Sequence, residues 1–152
     1  MKNYKGIFLT LLLSAVIVPS AFSHCQIPCG IYGDDNVFGE LMMDVETIEK
    51  SMKQIQSLGE DPSKNPNQLI RWVMNKEDHA NNIITVMSEY FLAQRIQLAT
   101  AESNPETYNK LVGHIHQITV LAMKCKQTTD LNNASQLGKV LHDFQHLYAD
   151  SR

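Results

Sequence analysis

The sequence lacks any excess of basic residues. Its 152 residues carry 13 Lys and Arg against 16 Asp and Glu, so the formal charge is −3. Proteins that bind nucleic acid neutralise phosphates with positive charge, and this composition therefore argues against a nucleic-acid partner. Seven glycines and five prolines are too few for a collagen-like or low-complexity chain. An apolar fraction of 43% is instead typical of one globular domain.

Cysteine is scarce as well. The chain has three, and this odd count excludes a framework that pairs every cysteine within the chain. Cys25 and Cys29 lie close together near the N-terminus. Cys125 falls on an apolar stripe far from them, and we predict that it is a buried core thiol that needs no partner.

Long hydrophobic runs are missing except at the start. Two lysines precede an uncharged apolar run at residues 7–18, and small residues flank Phe22. This is the layout of a secretory signal peptide, and the run is shorter than the ~20 residues that a membrane span needs. We predict that residues 1–23 are removed before His24 and that the protein is exported, periplasmic or secreted, with no membrane attachment after cleavage. The removed segment holds two lysines and no acids, so the mature charge is −5.

Apolar residues recur every three or four positions in four segments, a spacing that places them on one face of a helix. No segment alternates with a period of two. The pattern predicts an all-α protein in which residues 36–152 form an antiparallel, up-down four-helix bundle. The second helix is expected to run from Asn67 to Ala99, with Lys76 interrupting its stripe. The four stripes are Val37, Leu41, Val45, Ile48, Met52 and Ile55; Leu69, Val73, Ala80, Ile83, Met87, Tyr90 and Leu98; Leu111, Ile115, Ile118, Ala122 and Cys125; and Leu131, Ala134, Leu137, Leu141, Phe144 and Tyr148.

Polar residues in front of the stripes predict where the helices begin. Asp34, Asp35 and Asn36 are candidate N-caps of the first helix. Asn104 is followed by a proline, which suits the first turn of the third helix because its missing N–H costs nothing there. Asp130 is the expected cap of the fourth helix.

Residues 24–35, HCQIPCGIYGDD, have no helical period and form a segment that we call the hook. After cleavage, His24 would carry a free amine and an imidazole. Cys25 offers a thiolate and a backbone nitrogen, and Cys29 offers a second thiolate. Nitrogen and thiolate donors in one plane suit Ni(II) or Cu(II), and these ligands alone leave the choice between the two metals open.

The hook resembles the N-terminal segment of nickel-containing superoxide dismutase, whose pattern is His-Cys-x-x-Pro-Cys-Gly-x-Tyr. Each fixed position of that pattern is present, as His24, Cys25, Pro28, Cys29, Gly30 and Tyr32. The resemblance continues more loosely through the helices, and it implies the same four-helix bundle that the stripes predict.

The resemblance implies a function as well as a fold. It implies one nickel ion per subunit, held by His24, Cys25 and Cys29, with the His24 imidazole as an axial ligand of Ni(III). Tyr32 would guard the open face and help to place the substrate. Cycling between Ni(II) and Ni(III) would convert superoxide to O₂ and hydrogen peroxide, in a homohexamer of bundles.

Three further residues are implied to surround the site. Glu40 matches a glutamate that holds the ligand imidazole in the family. His79 stands where some members have an arginine near the metal, and Tyr90 is expected to act with Tyr32. Tyr90 could equally be an ordinary packing aromatic.

Two alternatives compete with these interpretations. Cys25 and Cys29 could form a structural disulfide in a secreted helical bundle that serves as a metal-binding or interaction module. His142 and His146, four residues apart, could bind Zn²⁺ from one helix face, although a solvated pair opposite the apolar stripe is favoured. His114 and His116, two residues apart, do not share a face.

Overall fold

A computed structural model describes residues 33–152 of the chain. The regular structure of these residues is helical, with no strand among them. It comprises α1 (Asp34–Gly59), α2 (Pro66–Thr85), a π-helical segment (Val86–Arg95), α3 (Leu98–Ser103), α4 (Pro105–Gln127) and α5 (Leu131–Asp150). The predicted signal segment and most of the hook lie outside the described residues. None of the helices in residues 33–152 has both the length and the apolar character needed to cross a bilayer.

The four long helices pack as a ring in which α1 and α4 each contact α2 and α5. Tyr148, near the end of α5, bonds Asp34 at the start of α1. Gln56, near the end of α1, donates to the carbonyl of Thr129, just before α5 begins. These two contacts join opposite ends of α1 and α5, and the predicted all-α, antiparallel four-helix bundle is confirmed.

Most of the predicted stripe residues form the core, because burial of one face of each helix removes apolar surface from water. Two stripe positions were wrong: Val73 is 38% exposed and Leu98 is 76% exposed. The prediction for Cys125 is confirmed, since its side chain is fully buried and its thiol is free. The least exposed core side chains include Leu41, Ile48, Met52, Ile83, Met87, Phe91, Ile118, Leu137, Leu141 and Phe144.

The expectation that the second helix continues to Ala99 was wrong. From Val86 the helix widens into π geometry, in which N–H groups bond the carbonyl five residues back. Its last bond runs from Ile96 N to Phe91 O at 2.9 Å, and the backbone of Ile96 is already extended. Each π turn holds more residues than an α turn, so the α-helical register that put Leu98 in the core no longer applies.

Side-chain caps begin two of the helices as predicted. Asn104 accepts a hydrogen bond of 3.1 Å from the N–H of Thr107 at the start of α4. Asp130 accepts one of 3.0 Å from the N–H of Asn132 at the start of α5. Each cap satisfies a backbone donor that has no partner inside the helix, which stabilises the helix by about 1 kcal/mol.

Lys76 interrupts the apolar stripe of α2 and is nevertheless buried, with 3% of its surface exposed. Its ammonium group donates to the carbonyl of Cys125 at 2.7 Å and to that of Lys126. The last carbonyls of an α-helix lack partners and carry partial negative charge. Lys76 therefore pairs with the C-terminus of α4, which explains how a charged residue is accommodated between two packed helices.

Aromatic rings fill the end of the bundle where α1 begins. Phe38 of α1 packs against Phe91 of the π-helical segment, with ring centroids 4.9 Å apart, and against Phe144 of α5 at 5.8 Å. Phe91 meets Phe144 edge to face at 5.1 Å. Such pairs add about 0.5–1.5 kcal/mol each beyond the burial of their surface. This cluster provides a rigid support beneath the residues that follow the hook.

Candidate functional site at the start of helix α1

The predicted metal ligands His24, Cys25 and Cys29, and the predicted gate Tyr32, lie outside the described residues. Their assignment stays a prediction. The described chain begins at Gly33, directly after Tyr32 in the sequence. The geometry around the first turn of α1 therefore shows how the hook joins the bundle.

The chain enters α1 through a glycine rather than a polar cap. Gly33 has φ 78° and ψ 139°, a region that glycine adopts more readily than other residues. No side chain caps the helix, so the expectation that Asp34, Asp35 or Asn36 would do so was wrong. Asp34 is already helical, and its side chain is turned inward, with 6% of the residue exposed.

Asp34 is the centre of a polar cluster that we call the Asp34 cluster. Its Oδ2 atom accepts hydrogen bonds of 2.7 Å from the Tyr148 hydroxyl and from Nη1 of Arg152. Its Oδ1 atom accepts from the Tyr90 hydroxyl and lies 3.3 Å from Nε of Arg95. The π-helical segment, the end of α5 and the C-terminal arginine thus converge on the first residue of α1.

The π-helical segment supplies two members of the cluster from adjacent turns. Tyr90 and Arg95 are five residues apart, which is the spacing that π geometry brings together. Nη2 of Arg95 donates to the Tyr90 hydroxyl at 2.8 Å, and the guanidinium also lies over the Tyr90 ring at 4.7 Å from its centroid. Local π geometry is often found at functional sites, and here it positions the Tyr90 hydroxyl and the Arg95 guanidinium next to Asp34.

The contacts of Asp34 fix the charge of the cluster. Burial by itself would raise the pKa of Asp34, but the hydrogen bonds from Tyr90 and Tyr148 and the charges of Arg95 and Arg152 together lower it. Burial first, and then the bond to Asp34, raise the pKa of both phenols above the usual value. At neutral pH the cluster therefore holds an ionised carboxylate, two neutral tyrosines and two cationic arginines. With two guanidinium groups on one carboxylate, its net charge is +1.

A polar pocket of about 310 Å³ opens beside the Asp34 cluster, between the end of the π-helical segment and the end of α5. Its lining combines the two arginines with amide and hydroxyl side chains, namely Gln94, Gln97, Thr100 and Ser151. The pocket therefore borders a cluster of net charge +1 in a chain whose overall formal charge is −3.

The residues predicted to surround the metal are found in two places. Tyr90 is 4% exposed and its hydroxyl is engaged by Asp34 and Arg95. Glu40 is exposed on α1, and Asp44, one turn later, is buried. Nδ1 of His79 bonds Oδ1 of Asp44 at 2.6 Å.

The contact between His79 and Asp44 joins α2 to the same side of α1 as Glu40, because residues four apart share a helix face. Asn82 donates to the other carboxylate oxygen of Asp44 at 2.7 Å, which completes the bonding of this buried acid. Glu40 thus lies one helical turn before Asp44, the residue that His79 contacts. The roles of Glu40, His79 and Tyr90 next to a metal stay predictions.

The sequence analysis missed Asp34 and Asp44 as organising residues. Asp34 lies seven positions before Leu41 and Asp44 lies three positions after it, so both fall where the apolar stripe of α1 would place a core residue. A carboxylate at a stripe position signals a buried acid that needs partners. The partners Arg95 and Arg152 had no such signal, because their contacts depend on π geometry and on how α5 ends.

The remaining histidines and acids form no larger cluster. Among residues 33–152, no group of three or more His, Cys, Asp or Glu side chains is placed to hold a metal ion. His142 and His146 are exposed on the outer face of α5, as the stripe predicted. Their Nε2 atoms lie 3.2 Å apart.

Comparison with known proteins gives one match. A sequence profile described as nickel-containing superoxide dismutase matches residues 19–152. The match covers the hook and all five α-helices. No curated protein and no solved structure matches the chain significantly.

Proposed function

Since this chain belongs to the nickel-containing superoxide dismutase family, we propose that its nickel is held in the hook by His24, Cys25 and Cys29. The protein is an oxidoreductase that uses nickel and acts on superoxide. The family match includes the hook, where the pattern His-Cys-x-x-Pro-Cys-Gly-x-Tyr is complete, and this is the observation that carries the proposal.

The donors available in the hook fit nickel. His24 supplies an amine and an imidazole, Cys25 a thiolate and a backbone nitrogen, and Cys29 a second thiolate. Soft thiolates together with nitrogen donors favour a borderline transition metal over hard ions such as Mg²⁺. Nickel, when bound, supplies a one-electron change between Ni(II) and Ni(III), which suits a substrate that is oxidised in one half-reaction and reduced in the other.

The protein residues contribute position and charge. Tyr32 is proposed to guard the open face and to orient superoxide. The Asp34 cluster, which begins two residues after Tyr32, holds the first turn of α1 against α5 and the π-helical segment. This fixes the point from which the hook leaves the bundle. Arg95 and Arg152 place positive charge beside that point, which favours the approach of an anionic substrate to an acidic protein.

Processing is part of the proposed function. The amine of His24 exists only when residues 1–23 have been removed, and the signal-peptide layout supports cleavage after Ser23 and export to the periplasm or the exterior. A chain that keeps this segment carries an ordinary peptide nitrogen at His24 and lacks one donor.

Assembly into a homohexamer is likewise proposed. Several large apolar side chains exposed on the outer surface of the bundle support association between copies, because an interface would remove their apolar surface from water. Those on α1 and α2 are Met43, Ile70, Val73 and Met74. Sedimentation of the mature protein at several concentrations tests this. A hexameric mass supports the proposal and a monomer contradicts it.

Serine substitution in the hook tests the ligand assignment. Cys29→Ser removes a soft anionic donor that a hydroxyl does not replace, so nickel binding and superoxide turnover should both be lost. Tyr32→Phe should keep the nickel-to-protein ratio and lower the rate only in part. Full activity of Cys29→Ser would contradict the proposed coordination.

A further inference from the structure

The outer face of α5 carries a pair of histidine rings whose Nε2 atoms lie within hydrogen-bond distance of each other. His142 and His146 are four residues apart, so both project from the same side of the helix. Their Nε2 atoms are 3.2 Å apart and their ring centroids 4.4 Å apart, with the ring planes at 67°. The rings therefore approach one another through their Nε2 edges.

The separation of the two Nε2 atoms is suitable for both imidazoles to bind one metal ion. With metal–nitrogen bonds of about 2.0–2.1 Å, two nitrogens 3.2 Å apart subtend roughly 100–106° at the metal. This lies between the ~90° of square or octahedral sites and the ~109° of a tetrahedral site. Zn(II), Ni(II) and Cu(II) all accept imidazole ligands in one of these geometries.

The backbone that carries the pair is held in place. Leu141 and Phe144, on the opposite face of α5, are fully buried in the core. Because both imidazoles are attached to one packed helix, a metal ion bound by the first nitrogen is held close to the second, which raises the effective concentration of the second ligand. Both rings are exposed, which leaves room for water to complete the coordination sphere.

The charged side chains next to the pair balance one another. Asp143 lies between the two histidines in the sequence and interacts electrostatically with His142. Its carboxylate is bonded to Lys139 at 2.6 Å. The protein as a whole is acidic, so a divalent cation meets no general repulsion at this face.

We propose that His142 and His146 form a surface site for one borderline divalent transition-metal ion, separate from the nickel-binding hook. The site has two protein ligands and completes its coordination with water. It is independent of the proposed hook chemistry, and its loss should leave superoxide turnover unchanged.

The test uses the mature full-length chain with His24→Ala, Cys25→Ser and Cys29→Ser, so that the hook keeps neither the imidazole nor the thiolates that would compete for metal. Zn(II) alone is titrated calorimetrically, and the imidazole C–H resonances are followed by NMR. We expect one bound equivalent, with shifts confined to His142 and His146. His142→Asn or His146→Asn should each weaken binding by about tenfold or more, because one imidazole replaces a chelating pair.

His116→Asn is the matched control. It removes an exposed imidazole from α4 and should leave zinc binding unchanged. Substitutions at such exposed positions cost no more than about 0.5 kcal/mol of stability, so all three variants should remain folded. The same variants in the chain with an intact, nickel-loaded hook should keep full dismutase turnover.

Three results would overturn the proposal. One is the absence of zinc binding to the unsubstituted pair, and another is binding that persists in both His142→Asn and His146→Asn. The third is an equal loss of binding in the control variant His116→Asn. Loss of dismutase turnover in Cys29→Ser tests the hook alone and leaves the outcome for this pair unaffected.

Discussion

Tyr148, in the last turns of α5, donates a hydrogen bond of 2.7 Å to Asp34, the first residue of α1. The two residues are 114 positions apart, so the contact closes the bundle where the hook joins it. Asp34 is buried. It also accepts a hydrogen bond from the Tyr90 hydroxyl and forms ion pairs with Arg95 and Arg152. The four-helix bundle thus holds the start of α1 from two sides.

Replacing Asp34 should destabilise the bundle. Asp34→Asn removes the charge that Arg95 and Arg152 face, and removal of one partner from a buried pair costs about 3–5 kcal/mol. Because Arg152 is largely exposed, the expected loss is near the lower end, at about 3 kcal/mol. Denaturant unfolding at pH 7 measures it. Lys139→Gln, which removes one partner of an exposed pair with Asp143, is the control and should change stability by less than ~1 kcal/mol.

The contribution of Asp34 should depend on pH in one direction. Its folded-state pKa is lower than its ordinary value, so folding favours the ionised form. The stabilisation is then fully present above the unfolded pKa of about 3.9 and is lost as the pH falls through the folded pKa. The difference in unfolding free energy between the natural chain and Asp34→Asn should shrink below about pH 4. A difference that stays constant down to pH 2 would show that the charge of Asp34 is not responsible.

Lys76 should contribute to stability through the end of α4. Lys76→Met keeps most of the apolar stem but leaves the carbonyls of Cys125 and Lys126 without this donor, at a cost of about 1–3 kcal/mol. Thermal unfolding measures the loss. Lys53→Met, at an exposed i,i+4 pair with Glu49, is the matched control and should cost less than ~0.5 kcal/mol. A Lys76→Met variant as stable as the natural chain would show that the buried ammonium is dispensable.

Cys125 should be chemically inert in the folded protein. Burial raises the pKa of its thiol to about 11, so little thiolate forms at pH 8. In a Cys25→Ser, Cys29→Ser background, a thiol-alkylating reagent should modify the protein only after denaturant is added. Mass spectrometry reads out the modification. Rapid alkylation without denaturant would contradict the buried position of Cys125.

Local sequence signals predicted much of the bundle because its helices begin and pack by local rules. Asn104 and Asp130 cap their helices as their positions suggest, and most apolar stripe residues are buried. The same rules failed where the backbone leaves α geometry. The π turns end the second helix before Ile96 and leave Leu98 exposed, and nothing in the apolar spacing signals that change.

Part of the candidate site could be predicted from the sequence and part could not. The hook was found from sequence because six fixed residues at fixed spacing carry its pattern. The Asp34 cluster was not found, because its members come from residues 34, 90, 95, 148 and 152 and meet only after the bundle has formed. Asp34 itself was predicted as a helix cap, a role that its inward orientation excludes.

The position of the free amine tests the central claim most directly. Inserting one alanine between Ser23 and His24 should leave the bundle folded and exported, since the insertion lies ahead of the first described helix, which begins at Asp34. It turns the His24 nitrogen into an amide, which binds metal poorly until it loses its proton, whereas a terminal amine titrates near pH 8.

The decisive measurement is superoxide turnover and the nickel-to-protein ratio of the two mature chains, with and without the alanine, side by side. N-terminal sequencing confirms where each chain begins. The proposed coordination predicts one nickel per subunit and full turnover in the natural chain, and weak nickel binding without turnover in the extended chain. Equal activity in the two chains would remove the His24 amine from the site and contradict the proposed centre.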